Sequence, residues 1–220
     1  MIKMLILIIG AGGMGRDVMD AVEKKGTYKI AGFIDDTMPV GSEVSGYKIL
    51  GNISDVARIS KDINKGIIAI GDNWQRGKVS RKIKNATKIF HFVSVIHPSA
   101  CISRNAQIGA GAVLLAEATV CSNAIMGEHT LLHIGSMLGH DSKLQNYGCM
   151  LPGSKVGGNV RIGQYTSIGI GATVIHGITI GNHSFIGAGA TVISNIPSNV
   201  VAYGVPAIVA RNRRKSEKHL

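Results

Sequence analysis

The second half of the chain carries an apolar residue at every sixth position. This column begins at Ile96, ends at Val192 and is aliphatic or methionine seventeen times in succession. A second column, four residues further along, holds small residues except at Val160 and Ile178. A period of six fits neither an α-helix nor a free strand. It predicts a parallel β-helix with three short faces per coil, with large residues along the axis and small residues at the corners.

The first part of the chain follows a different pattern, in which apolar runs alternate with amphipathic stretches. Leu5–Ile9 is a continuous apolar run typical of a buried parallel strand, and the amphipathic stretch after it ends at Gly26. Further candidates are the strands Ile30–Ile34, Gly66–Ile70 and Ile89–Val95 and a basic helix carrying Arg76, Lys78, Arg81, Lys82 and Lys84. This alternation predicts a small parallel α/β sheet.

These two patterns define the predicted domains. We expect a Rossmann-like domain over residues 1–94, a β-helix over residues 95–210 and a basic tail over residues 211–220. The first segment has a charge balance of +6 from 15 basic and 9 acidic side chains, the β-helix is nearly neutral and the tail adds +4. Such a basic excess suits nucleic acid or small phosphorylated ligands. Aromatic residues are few and do not alternate with the charges, so we expect no nucleic-acid partner.

The cysteines and the apolar runs indicate the cellular compartment of the protein. The three cysteines show no CxxC spacing and are odd in number, which favours reduced thiols in a cytoplasm over disulfides or a zinc site. The apolar run Met4–Ile9 is far too short for a signal peptide or a membrane span. We therefore expect a cytoplasmic protein with no membrane insertion and no metal.

A glycine-rich segment joins the first strand to the first helix. Gly10, Gly12 and Gly15 form a GxGxxG motif, and the acidic pair Asp35 and Asp36 follows about twenty residues on. Glycines there allow close approach of a phosphate, which the helix N-terminus favours. About 95 residues supply little more than one half of a dinucleotide fold, so we expect a mononucleotide-type ligand with the two aspartates facing ribose or base. A tight turn without ligand is the alternative.

One histidine stands out within the repeats. Residues 18 apart stack in successive coils, one strand spacing of about 4.8 Å apart, so Gly158 stacks above an outward-facing His140. We predict an open space beside this imidazole, as a general base requires. Asp141 could orient the ring, although successive residues of a strand point apart.

The segment around this histidine resembles a known family. Gly139-His140-Asp141, Pro152-Gly153 and the run over residues 157–163 resemble the active-site coils of the bacterial sugar O-acyltransferase family. That family is similar to sialic acid O-acetyltransferases and to N-acetyltransferases acting on nucleotide-linked 4-amino-6-deoxy sugars. The resemblance spans nearly the whole chain, through Gly10-Ala11-Gly12-Gly13, Phe33-Ile34-Asp35-Asp36, the hexapeptides, the Ile186–Ala190 segment and Gly204-Val205-Pro206-Ala207.

The resemblance implies a left-handed β-helix and a homotrimer that binds acetyl-CoA between adjacent β-helices. It implies His140 as the general base with Asp141 beside it, and Gly158 next to the thioester. It places the nucleotide sugar in the N-terminal domain, at Gly12, Gly13, Asp35 and Asp36, with Asn73 near the sugar or nucleotide and His133 near the acceptor group. The nearly neutral β-helix leaves Arg211, Arg213 and Arg214 as the cations available for the CoA phosphates.

The resemblance also implies that Cys149 lies in the acetyl-CoA site, at the position where some members carry a second histidine thought to steady the thioester carbonyl. Cys149 is thus a departure from the family pattern. A thiol is a poor hydrogen-bond donor, so we expect backbone N–H groups to stabilise the oxyanion. No cysteine has an obvious histidine partner, which disfavours Cys149 as a nucleophile.

The expected function is direct acetyl transfer from acetyl-CoA to the 4-amino group of a UDP- or dTDP-linked 4-amino-6-deoxy sugar. The first alternative is a sialic acid type O-acetyltransferase, and the second is a non-catalytic nucleotide-sugar-binding scaffold. A zinc enzyme using His129, His133 and His140 is disfavoured because these residues occupy different offsets in the repeat. An NAD-linked oxidoreductase has only the glycine motif in its favour.

Overall fold

The computed structural model of the protein describes residues 3–218. The chain folds into two compact units, which divide between Pro98 and Ser99. In chain order the elements of the first unit are β1 (Met4–Ile9), α1 (Gly13–Lys25), β2 (Tyr28–Ile34), β3 (Glu43–Val44), β4 (Tyr47–Gly51), a 3₁₀ turn (Ile53–Asp55), α2 (Val56–Ile59), β5 (Lys65–Ile68), α3 (Asn73–Ala86), β6 (His91–Phe92) and β7 (Val95–Ile96).

A six-stranded sheet forms the centre of the first unit, with strand order β3-β4-β2-β1-β5-β6. All neighbouring strands run parallel except β3 and β4, so the predicted parallel α/β sheet is confirmed. The β3–β4 hairpin was not expected from the sequence. It turns at Ser45 and Gly46, whose φ angles of 50° and 83° suit a two-residue hairpin loop.

Helix α1 covers the sheet with its apolar stripe. Val18, Ala21 and Val22 recur at helical spacing and are buried. The helix ends at Gly26, which adopts the left-handed conformation with φ 66° and donates its N–H to the Val22 carbonyl. A glycine takes this cap without the steric cost of a Cβ, so the helix boundary follows directly from the sequence.

The second unit consists, over its described residues, of sixteen two-residue strands and a terminal hairpin. The short strands are β8 (Cys101–Ile102), β9 (Gln107–Ile108), β10 (Val113–Leu114), β11 (Thr119–Val120), β12 (Ile125–Met126), β13 (Leu131–Leu132), β14 (Met137–Leu138), β15 (Lys143–Leu144), β16 (Cys149–Met150), β17 (Lys155–Val156), β18 (Arg161–Ile162), β19 (Ser167–Ile168), β20 (Thr173–Val174), β21 (Thr179–Ile180), β22 (Phe185–Ile186) and β23 (Thr191–Val192). The hairpin is β24 (Val200–Tyr203) with antiparallel β25 (Ile208–Asn212).

Short strands that lie three apart in chain order pair in parallel with a shift of 18 residues, as in Leu114 with Leu132 and Leu132 with Met150. Three parallel faces result, and the axial column is buried from Leu114 to Val192. The predicted left-handed parallel β-helix is therefore confirmed.

The coils turn at a second set of six-residue positions that the sequence pattern did not reveal. Three residues after each axial residue from Ile108 to Ile186, the backbone enters the left-handed region, for example at Asn123, Asp141 and Tyr147 with φ of 57° to 61°. Asparagine and aspartate tolerate this conformation well, whereas tyrosine at such a corner is unusual.

Candidate functional site

His140 follows β14 in a turn of the β-helix rather than in a strand. Its side chain is 61% exposed, and its Nδ1 lies 2.8 Å from Oδ2 of Asp141. The two side chains meet because Asp141 has a φ of 57°, which turns it away from the alternation that strand residues follow. Successive residues of a strand point apart, but Asp141 is not in a strand conformation, so its carboxylate reaches the His140 ring.

This contact sets the chemistry of the imidazole. Hydrogen bonds from His140 and from the amide of Asn123 hold the pKa of Asp141 below its usual value. A carboxylate can only accept a hydrogen bond, so the contact assigns the proton to Nδ1 of His140. Nε2 then presents its lone pair, which is the form a general base needs.

Gly158 lies directly against Nε2 of His140. A Cβ on Gly158 would overlap the imidazole ring at Nε2 and Cε1. The open space expected above His140 is therefore partly filled by the histidine's own ring, which leans toward the next coil. Only glycine at position 158 permits this ring position.

The turn column that contains His140 has three exposed residues, and its fourth residue, Gly158, is buried. We call this column the His corner and define it as Ser122, His140, Gly158 and His176. Within residues 3–218, the backbone N–H groups of these four residues have no hydrogen-bond partner. An unpaired N–H next to a candidate base is a candidate oxyanion donor.

The next turn column along the coil has three of its four backbone N–H groups capped by side chains. We call it the amide corner and define it as Glu128, Asn146, Gln164 and Asn182. Oδ1 of Asn146 accepts the Glu128 N–H at 2.9 Å, and Oδ1 of Asn182 accepts the Gln164 N–H at 2.8 Å. The Asn182 N–H is likewise bonded, to Oγ of Ser198 at 2.9 Å, whereas the Asn146 N–H has no partner within the described residues.

His133 and Cys149 do not join His140 within one chain. His133 follows β13, at a different corner from His140, and its Nδ1 accepts the Ile134 N–H at 3.0 Å. Cys149 is fully buried in β16. A buried thiol is shielded from a ligand at the surface, so we leave Cys149 out of the acetyl-CoA site proposed below.

A stack of four aromatic rings escaped the sequence analysis. His129, Tyr147, Tyr165 and His183 lie face to face in successive coils, with centroid distances of 5.4, 4.7 and 5.2 Å. Their spacing of 18 residues was the available signal. His129 is buried in this stack. Among residues 3–218, no cluster of three or more His, Cys, Asp or Glu side chains could hold a metal ion.

The three arginines of the tail have different surroundings. Arg213 is 4% exposed and donates to the carbonyl oxygens of His183 and Ser184, so it holds the chain end rather than facing solvent. Arg211 pairs with Glu217 at 2.6 Å, and Arg214 is exposed. This corrects the expectation for Arg213, because its guanidinium is committed to backbone oxygens.

Arg211 also borders an apolar cavity of about 640 Å³. Its walls include Leu151, Ile170, Phe185 and Tyr203. The cavity lies on the last coils of the β-helix, and its apolar walls with one cation at the rim suit an amphipathic anionic ligand.

The glycine-rich segment of the first unit opens into a cavity of about 570 Å³. Nothing within 4 Å would obstruct a Cβ on Gly12, so the start of α1 is open, and no side chain caps this helix. Gly15 is tightly packed, because its Cβ would overlap the Gly10 carbonyl oxygen. The motif thus combines close packing with an accessible helix N-terminus. The remaining walls are Gly13, Met14, Asp35, Asp36, Thr37, Ile53, Ala69, Ile70, Gly71, Gln75 and Val79.

Asn73 does not line this cavity. It is fully buried at the start of α3, whereas Gln75 of the same helix reaches the wall. The structure therefore places Gln75 in the cavity wall instead of the expected Asn73. Arg76, one turn into the helix, is also buried and donates to the carbonyl oxygens of Ile70 and Gly71 at 2.8 and 2.9 Å, which fixes the loop at the cavity edge.

Comparison with known proteins bears on both units. Residues 5–83 match the PglD N-terminal domain, and residues 159–194 match the bacterial transferase hexapeptide with six repeats. The structure of PerB from Caulobacter crescentus, in complex with CoA and GDP-perosamine, is 30% identical with a TM-score of 0.88. It covers 96% of this chain and 99% of that one. The chain belongs to the bacterial hexapeptide-repeat sugar acetyltransferase family.

Two further members are similar over part of their length. GDP-perosamine N-acetyltransferase of Escherichia coli O157:H7 is 28% identical over 155 residues, which is 66% of each chain. UDP-N-acetylbacillosamine N-acetyltransferase of Bacillus subtilis strain 168 is 30% identical over 115 residues, 50% of this chain and 51% of that relative. The chain thus spans about half to two thirds of these members in alignment. Among the described residues of this family member, no helix combines the length and hydropathy needed to cross a membrane.

Proposed function

We propose that the protein is an acetyl-CoA-dependent N-acetyltransferase that acts on the 4-amino group of a nucleotide-linked 4-amino-6-deoxy sugar. Similar proteins are named for a GDP-linked and a UDP-linked amino sugar. The candidate bases therefore widen from the uracil and thymine expected from the sequence to include guanine.

The observation that carries this proposal is the His140–Asp141 pair at the His corner. The pair leaves Nε2 as a proton acceptor. Gly158 lets the ring lean over the next coil, beside an N–H group that has no partner within the described residues. A base next to a hydrogen-bond donor is the arrangement that acyl transfer to an amine requires.

The proposed reaction is direct transfer without an acyl-enzyme. The amine nitrogen attacks the thioester carbonyl carbon, forming the C–N bond while its proton passes to Nε2 of His140. The N–H of Gly158 would donate to the oxyanion of the tetrahedral intermediate. The C–S bond then breaks, and the CoA thiolate recovers a proton from the imidazolium. Asp141 would stabilise the protonated ring throughout.

We place the acetyl-CoA between adjacent copies in a homotrimer. The His corner and the corner that carries His133 are separate within one chain, so a neighbouring copy is needed to bring both sides to one cleft. The apolar cavity on the last coils, with Arg211 and exposed Arg214, would receive the nucleotide end of CoA. Arg213 is omitted because it is buried on backbone carbonyls.

We place the nucleotide of the acceptor at the open start of α1. Gly12 and Gly13 would present their backbone N–H groups to the phosphates, since no side chain caps this helix. His133, at the half-buried start of its turn, would stand near the acceptor sugar of the cleft.

The test is thiol release from acetyl-CoA, followed with Ellman's reagent, across GDP-, UDP- and dTDP-linked 4-amino-6-deoxy sugars and free and CMP-linked sialic acid. The proposal predicts turnover with one amino sugar and a product that is heavier by one acetyl group, attached at nitrogen. Turnover with sialic acid alone would support O-acetylation instead. Binding of acetyl-CoA and nucleotide without turnover on any acceptor would favour the non-catalytic scaffold. A reaction without acceptor is the control for thioester hydrolysis.

A further inference from the structure

Asp141, the partner of His140, is itself held from the coil below. Its Oδ2 lies 2.8 Å from Nδ1 of His140, and its Oδ1 accepts a hydrogen bond from Nδ2 of Asn123 at 3.1 Å. Asn123 and Asp141 are 18 residues apart and occupy the same turn position in successive coils, with φ of 58° and 57°. Similar backbones direct the two side chains alike, so the amide of one coil reaches the carboxylate of the next.

The backbone of this turn is fixed, but the carboxylate needs a hold of its own. The Asp141 N–H donates to the Ser122 carbonyl oxygen at 3.0 Å, and the His140 carbonyl oxygen accepts the Asn159 N–H at 2.8 Å. The side chain of Asp141 is 45% exposed. Exposed polar pairs are weakly held, because water competes for both partners. A second bond, to the other carboxylate oxygen, fixes the plane of the carboxylate and keeps Oδ2 directed at the ring.

The contact from Asn123 is not an automatic result of the turn column. Asn159 lies one coil above Asp141 at the same turn position, with φ of 57°, and is exposed. Within residues 3–218 its side chain forms no hydrogen bond, so the carboxylate receives an amide from below and none from above. Asparagine suits a left-handed turn whatever its side chain contacts, which accounts for Asn159 but not for the bond that Asn123 donates.

We propose that Asn123 is a positioning residue for the His140–Asp141 pair. Its amide fixes the carboxylate of Asp141, which in turn holds the proton of His140 on Nδ1 and leaves Nε2 to accept the amine proton. A side-chain amide only donates to a carboxylate, so Asn123 steadies Asp141 without competing for the proton of the ring. This inference rests on the proposed function and extends it by a residue that acts through Asp141.

The test compares the wild type with Asn123→Gly, Asn123→Asp and the control Asn159→Gly. Glycine removes the side chain and takes a positive φ without strain, so the two glycine variants share the same change of backbone. We measure kcat and the KM of both substrates, and the melting temperature. The tautomer of His140 is read from ¹⁵N NMR of the ligand-free full chain labelled with ¹⁵N-histidine, and His140→Ala identifies its resonances.

Asn123→Gly should lower kcat about threefold to tenfold, as expected for losing one exposed hydrogen bond beside the base. The KM of both substrates should not change, because Asn123 acts through Asp141 and not on a substrate. Wild-type His140 should carry its proton on Nδ1, and the share of this tautomer should fall in Asn123→Gly. Asn159→Gly should keep the wild-type rate and tautomer.

Asn123→Asp keeps the shape of the side chain and exchanges the donor for an anion. The new carboxylate oxygen would face Oδ1 of Asp141 where the amide nitrogen lies, at 3.1 Å. Two carboxylates this close repel, so one of them takes up a proton at a higher pH than it would alone. At pH 8 kcat should fall further than in Asn123→Gly. The deficit relative to wild type should shrink as the pH falls, because a proton shared by the two carboxyl groups restores a donor.

Several results would overturn the positioning role. They are an unchanged rate and tautomer in Asn123→Gly, a loss of rate without a change of tautomer, a loss confined to KM, or an equal loss in Asn159→Gly. A wild-type His140 protonated on Nε2, or an Asn123→Asp deficit that is the same at every pH, would also overturn it. If the tautomer shifts as described but no acceptor is acetylated, the proposed function fails and the positioning role stands.

Discussion

Two corners of the same coil differ in what their side chains do for neighbouring backbone N–H groups. The turns after β14 and after β15 both leave a backbone N–H, that of His140 and that of Asn146, without a partner in the described chain. They differ in their side chains, because that of Asn146 caps the Glu128 N–H of the coil below, whereas that of His140 is exposed. Both turns have the same backbone, with φ of 57° at Asp141 and 61° at Tyr147. The difference teaches that the β-helix does not need capped turns everywhere. Uncapped N–H groups also occur at Asn146 and Ile170, so the His corner is distinguished by the exposed base beside its N–H groups.

The largest effect is expected from removing the proposed base, His140, at the His corner. His140→Ala should lower kcat by about a hundredfold to ten-thousandfold, because no other group takes the amine proton. The melting temperature should stay close to that of the wild type, since the side chain is exposed. His176→Ala removes a histidine from the same corner and is the matched control. Near-full activity of His140→Ala would contradict the assignment of the His corner as the catalytic site.

A methyl group at Gly158 should have the next largest effect. Gly158→Ala places a Cβ where the His140 ring lies, so the ring has to move from its position against residue 158. Misplacing a base by about 1 Å costs on the order of a hundredfold in kcat. Steady-state kinetics with both substrates measures this, and a variant with unchanged kcat would show that the ring position is immaterial.

A substitution in the amide corner should change the free energy of unfolding rather than kcat. Asn146→Ala removes the acceptor of the Glu128 N–H, at a cost of about 0.5–1.5 kcal/mol in the free energy of unfolding. Denaturant titration measures this loss, and kcat should not change. A drop in kcat with unchanged stability would contradict the structural role assigned to the amide corner.

The smallest effect concerns the aromatic stack. Burial, together with Lys215 and Arg213, lowers the pKa of His183 below its ordinary 6.5. Between the two values the unfolded chain binds a proton that the folded chain refuses, so stability is present above pH 6.5 and declines as the pH falls below it. His183→Phe keeps a ring in the stack and should reduce the fall in melting temperature between pH 7.5 and 5.5 by on the order of a few degrees. An identical pH profile in the variant would contradict this.

Much of the architecture could be predicted because each coil repeats one pattern. The six-residue column specifies the axis, and the shift of 18 residues gives the register and the stacking of Gly158 on His140. In the first unit, strand–helix alternation and the cap at Gly26 sufficed. The β3–β4 hairpin was missed because its strand β3 has only two residues, although Ser45-Gly46 is a turn signal.

The site was harder to predict because it depends on contacts that no local pattern encodes. The meeting of His140 with Asp141 depends on a left-handed corner, and residues as unlike as Glu117 and Tyr147 occupy such corners. Arg213 was expected at the surface because long cations normally lie there, but the carbonyl groups at the chain end bury it. The hydrogen bond that Asp35 accepts from the Ala11 N–H joins residues 24 apart in the chain.

The most direct test of the proposed function pairs the two corners of one coil in a single experiment. His140→Ala and Asn146→Ala are measured side by side for the rate of acetyl transfer to the preferred amino sugar and for the denaturant midpoint. We expect a crossed result, in which the first variant loses rate and keeps its midpoint while the second keeps its rate and loses midpoint. Equal losses of rate in both variants, or a rate retained by His140→Ala, would contradict the assignment of the His corner as the catalytic site.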